Sequence, residues 1–140
     1  MLCFTTAVST QMPAYTKAGP IPPALTTAKS IFVSNAGSSN TTLFRSWYKG
    51  DEDRPYTEFY AALKATGSFT LVNDPAQADL VLEISLISSH QAPDMFRLVV
   101  YDTKTHYIFW TITRGIDFAN REDNRERNFD TALSDVLNQF

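Results

Sequence analysis

The sequence predicts one α/β (α+β) domain, a mixed five-stranded sheet carrying two helices, on three observations. Leu80, Leu82, Ile84 and Leu86 fall on alternate positions of Ala78–Ile87, so one face of a strand is continuously apolar and must be covered. Two further β-rich segments, Met95 to Asp102 and Thr105 to Arg114, are joined through a short polar turn and read as an antiparallel hairpin. Tyr56, Phe59, Tyr60 and Leu63, and later Phe129, Ala132, Leu133, Val136, Leu137 and Phe140, recur at helical spacing and mark two amphipathic helices.

Residues 1–13 are too short and too mixed to span a bilayer, which takes about 20 apolar residues. Small residues at Ala7 and Ser9 suit either the end of a truncated export signal or an unstructured start. Residues 14–28 hold three prolines within four positions and are expected to be an extended linker, which leaves 29–140 as the domain. Lys29 to Asn35 reads as the first strand, ended by the turn chemistry of Ala36–Asn40. No regular structure is signalled from Asn35 to Asp53. Asp53-Arg54-Pro55 then starts a helix, with Asp53 as the expected cap, and Gly67 stops it. Ser68 to Val72 gives a second short strand, and residues 73–78 turn into the leucine-rich strand. Glu122 with Arg125, and Asp123 with Arg127, sit at helical spacing and are expected to pair along a solvated face.

The chain of 140 residues, 44% hydrophobic, is long enough for one core. Its net charge of −3, with scattered Lys and Arg, offers no basic field for nucleic acid. Cys3 is the only cysteine, so neither a disulfide framework nor a cysteine-based zinc site is expected. The two histidines, His90 and His106, fall in connections without metal-ligand spacing, and no nucleophile elbow or phosphate-binding glycine loop occurs. No cofactor or metal is expected. Among carboxylates, Glu83 lies on the strand face opposite the leucines, either half exposed or paired with Arg97 or Arg114, or else held as a buried acid. Trp110 is expected in the core. Asn40-Thr41-Thr42 fits a glycosylation sequon, a pattern too short to carry weight.

The run Gly67-Ser68-Phe69-Thr70-Leu71-Val72, followed by Ala78-Asp79-Leu80-Val81-Leu82-Glu83 and by Val100-Tyr101-Asp102-Thr103-Lys104-Thr105 with Trp110, resembles the amino-terminal domain of TolB and related envelope modules of the CsgG type. The resemblance covers residues 29–140 and implies a sheet order of 2-1-3-4-5. It also implies a periplasmic, secreted or envelope-associated location and a role in envelope assembly through protein contact. No active-site residues are carried over by it. A strand–helix–parallel-strand unit at the start is expected to be right-handed.

The expected function is therefore that of a non-catalytic exported domain that meets a protein partner in the cell envelope. The candidate contact is the long 35–53 connection, where Phe44, Arg45, Trp47 and Tyr48 form an aromatic-rich group of the kind enriched at interface hot spots. Two alternatives stay open: a small enzyme using Glu83 or His90 as acid or base, and a small-ligand module built on the same aromatic connection.

Overall fold

A computed structural model of the chain describes residues 22–140. The suggested export signal at 1–13 and the start of the linker lie outside them. The elements run α1 (Pro23–Thr27), β1 (Ser30–Ser38), α2 (Thr41–Trp47), α3 (Arg54–Thr66), β2 (Thr70–Leu71), β3 (Leu80–Ile87), β4 (Met95–Asp102), β5 (Ile108–Gly115) and α4 (Glu122–Gln139). The five strands form one sheet in the order β2-β1-β3-β4-β5, as expected. β1 runs parallel to both β2 and β3, whereas β3, β4 and β5 are antiparallel.

Alternation divides the sheet into two unlike faces. Leu80, Leu82, Ile84 and Leu86 stand beside Ile31 and Val33 of β1 and Phe96, Leu98 and Val100 of β4, all buried. Phe59 and Leu63 of α3 and Phe129, Ala132, Leu133 and Val136 of α4 complete that core. On the other face Ser85 and Val99 are buried at the centre, but Val81, Glu83 and Ile87 stay half-buried and Arg97, Thr111 and Thr113 exposed, because the helices all pack on the first. Trp110 is only half-buried at the margin of the core, since it lies on the last strand of the sheet.

Two segments of the resemblance have clear physical roles. Asp79 Oδ2 accepts from the Lys29 and Ser30 amides at 2.8 and 2.9 Å and from the Ser30 hydroxyl at 3.0 Å. It thereby fixes the start of β1 against β3. Asp102 Oδ1 accepts from the Lys104 and Thr105 amides at 2.7 and 3.1 Å, closing the β4–β5 turn.

Several expectations are corrected. Pro23 opens a helical turn instead of continuing an extended linker, and Leu25, 6% exposed, joins the core. The Ala36–Gly37 turn chemistry does not end β1. It makes an irregularity between Asn35 and Ser38, with Gly37 at φ +68°, after which the strand continues. The supposed irregular connection holds the end of β1 up to Ser38 and the seven-residue helix α2. Asp53 does not cap α3 with its side chain, which instead accepts from Asn35 Nδ2 at 2.6 Å. Gly67 does end α3 at φ +66°. Two charges of the 122–127 stretch turn toward other elements: Glu122 pairs with Lys49 at 2.9 Å, and Glu126 with Arg54 at 2.6 Å.

Asp79 generates a prediction about acid stability. Amides of Lys29 and Ser30 hold its carboxyl below the ordinary value of 3.8, so its stabilisation is complete above that pH and fades as pH falls toward its lowered value. Asp79→Asn should lower the urea midpoint at neutral pH, and the gap to wild type should narrow on acidification below pH 3.8. A gap that is constant with pH would contradict the role given to the charge.

Candidate functional site: an aromatic groove at the end of the sheet

The site is built on α2. Asn40, in extended conformation, accepts from the Leu43 amide through Oδ1 at 3.0 Å and caps the helix. The asparagine of the sequon-like triplet is thus a structural cap. One turn apart, Phe44 and Tyr48 face inward, with ring centroids 6.3 and 5.1 Å from that of Phe129 on α4. Helical geometry then turns Trp47 outward, where it is 38% exposed.

Tyr48 also sets the register of the site. Its hydroxyl donates to Asp94 Oδ2 at 2.8 Å, and the Asp94 carbonyl accepts from the Ile116 amide at 2.7 Å. One residue therefore joins α2, the entry to β4 and the exit from β5. Burial, reinforced by the hydrogen bond to the Asp94 carboxylate, pushes the Tyr48 phenol far above its ordinary range. It is a fixed donor, unsuited to acid–base exchange.

A groove of about 390 Å³ opens beside this junction, lined by Trp47 and Tyr48, by the β3–β4 connection with His90 and Pro93, and by Phe118 and Arg125. Phe118, 71% exposed, meets Trp47 edge-on at 5.9 Å. The Arg125 guanidinium lies 5.1 Å from the Trp47 ring centroid and donates to the Trp47 and Asn120 carbonyls at 3.1 and 2.8 Å. It braces the C-terminal end of α2 against the start of α4. The walls are mainly apolar and aromatic, and the most buried polar pair, Tyr48 and Asp94, is already satisfied.

The four residues expected to form a contact do not act together. Trp47 and Tyr48 line the groove, but Tyr48 is buried at its base and Phe44 is fully buried beneath it. Arg45 leans away and pairs with Glu52 at 3.1 Å. His90 is exposed on the rim. Glu83 stands midway along β3 on the other sheet face, where Oε1 accepts from the Tyr101 hydroxyl at 3.4 Å. Neither arginine expected for it pairs with it: Arg114 Nε meets Asp135 Oδ2 at 2.8 Å instead. Among the described residues no group of three or more His, Cys, Asp or Glu side chains is placed to hold a metal ion. Phe118 and Arg125 were not legible as site residues. Phe118 is one apolar residue in a polar stretch, and Arg125 looks like half of a surface pair.

No family model matches the chain, and no curated protein does. Among solved structures it is similar to a DUF4136 family protein from Bacteroides thetaiotaomicron, at 12% identity and a TM-score of 0.58 over 89% of this chain and 93% of that one. It is also similar to PelC from Paraburkholderia phytofirmans, solved as a dodecamer, at 14% identity and a TM-score of 0.53 over 78% and 84% of the two chains. TolB from Acinetobacter baumannii aligns with 80% of this chain and 29% of its own, at 14% identity and a TM-score of 0.43. These likenesses are of fold.

The Tyr48 hydroxyl yields a prediction. Tyr48→Phe leaves one Asp94 oxygen without its donor and should destabilise the chain by roughly 1.5–3 kcal/mol, the range for hydrogen bonds to charged groups, in urea titration. An unchanged midpoint would show that water replaces the hydroxyl at no cost.

Proposed function

We propose that this chain is a non-catalytic domain of the bacterial envelope that works by binding another protein through the groove between α2, the β3–β4 connection and the segment after β5. The observation that carries the reading is Trp47 standing exposed against Phe118 over a preformed apolar groove. Large aromatic side chains are left partly in water here, on a backbone held rigid from below, and such residues supply much of the binding energy at protein interfaces. The sequence resemblance to TolB-type modules supports the envelope location.

The acid–base reading has less support. Glu83 and His90 do not converge, because one lies mid-strand on the open sheet face and the other beyond the end of β3. Asp94, a carboxylate of the same groove wall as His90, is engaged by Tyr48. A convergent set of polar groups is what a catalytic pocket needs.

The test is a photoreactive phenylalanine analogue in place of Trp47, with the same analogue at exposed Thr66, at the far end of α3, as control. After irradiation in cells the Trp47 position should give a discrete adduct with a different protein, and Phe118→Ala should reduce its yield about tenfold or more. Identical adduct patterns from positions 47 and 66, or none from 47, would refute the groove as a partner site.

A further inference from the structure

We propose that two copies of this chain associate edge to edge through β5, antiparallel about a two-fold axis at Thr113, so that two five-stranded sheets become one. The inference goes beyond the groove and does not use Trp47, although Phe118 at the groove rim also ends this edge.

The two ends of the sheet differ. At one end stands β2, with only two residues; at the other stands β5, with eight. In an antiparallel ladder, residues alternate between those whose amide and carbonyl point to the neighbouring strand and those whose groups point away. The Ile116 amide donates to Asp94, and the register pairs Phe96 with Arg114 and Leu98 with Ile112, so Arg114 and Ile112 also face β4. The backbone groups of Thr111, Thr113 and Gly115 therefore point off the edge, and all three residues are exposed.

Exposed edges are ordinarily protected by Lys, Pro, a charge or a β-bulge, and the one irregularity of β5, at Phe109, precedes the Thr111–Gly115 stretch. β5 contains neither Lys nor Pro, and its one charged residue, Arg114, is on the helix-bearing face and bound to Asp135. The edge thus offers main-chain hydrogen bonding with no charge to repel an identical strand.

A second copy fits for a reason of symmetry. Pairing about Thr113 sets Thr113 against itself and Thr111 against Gly115 of the other copy, so every outward group of the three residues finds a partner, and Gly115 offers no side chain to obstruct Thr111. The same register is flanked by exposed apolar residues on both sides. Tyr107 and Ile108, 75% and 57% exposed, precede the axis, and Phe118, 71% exposed, follows it. The strand carries a register shift at Phe109 and ends at Gly115, so Tyr107 and Ile108 mark one end of the edge and Phe118 the other, outside the regular Thr111–Gly115 ladder. Three of the four large exposed apolar side chains in the described residues thus lie at the two ends of this one edge strand.

Sedimentation equilibrium of the full chain tests the pairing. Wild type should run at twice the monomer mass in the micromolar range. Thr113→Pro removes the outward amide at the axis without touching the β4 ladder, and Thr111→Lys places a charge on the edge; both should fall to monomer mass while circular dichroism stays native. Trp47→Ala should remain a dimer, which separates this contact from the groove. A monomeric wild type would overturn the proposal. So would edge variants that fold and associate as wild type does, with Thr111→Lys deciding if Thr113→Pro does not fold.

Discussion

Phe129 has no exposed surface, and its ring lies 4.9 Å from that of Phe96, 5.1 Å from Tyr48 and 6.3 Å from Phe44, with the Arg54 guanidinium carbon 4.2 Å from its centroid. That side chain touches a strand and two helices besides its own. The arginine over it reaches Glu58 at 2.7 Å, Glu126 at 2.6 Å and Asp130 at 3.0 Å, tying the start of α3 to α4. Aromatic pairs of this geometry contribute beyond the area they bury, and a cation over a shielded ring adds to them. The position of α2 depends on this cluster, and the groove depends on α2.

The sheet explains why the cluster lies where it does. Helices cover only the leucine-bearing face, and α2 fills the end of that layer, above the exit of β3 and the entry to β4. Buried Phe44 and Tyr48 turn Trp47 toward solvent by helical geometry alone. Polar contacts then hold the rim: Tyr48 to Asp94, Asp94 to Ile116, and Arg125 to the carbonyl of Trp47. The surface is aromatic and exposed while its backbone is fixed, a combination that lowers the ordering cost of association.

Much of the fold was legible because its signals are periodic. Alternation identified β3, the hairpin followed from two β-rich runs about a polar turn, and i, i+3, i+4 stripes identified α3 and α4. What was not legible depended on single residues acting through space. α2 has seven residues and no full stripe, and its cap, Asn40, sits within a triplet that has another common meaning. Ala36–Gly37 carries turn chemistry that the sheet uses as an irregularity, because the parallel pairing to β3 on its far side holds the strand in line. Of the expected contact residues, Phe44, Trp47 and Tyr48 read as one aromatic group whose members the sequence does not separate. Only the helical phase, once known, sends Phe44 and Tyr48 inward and Trp47 out. Arg125 looked like half of an i, i+3 pair with Glu122, yet the carbonyls at the end of α2 and the Trp47 ring hold it instead.

The central claim is that the groove is preformed, with α2 locked on the Phe129 cluster instead of forming a mobile connection. Native-state amide hydrogen exchange measures this directly, since the Phe44 amide donates to the Asn40 carbonyl at 3.0 Å and the Tyr48 amide to the Phe44 carbonyl at 2.8 Å. The account predicts that these two amides exchange as slowly as those of β3, opening only with the whole domain. Exchange at Phe44 and Tyr48 much faster than in β3 would contradict it, for α2 would then be opening separately from the core.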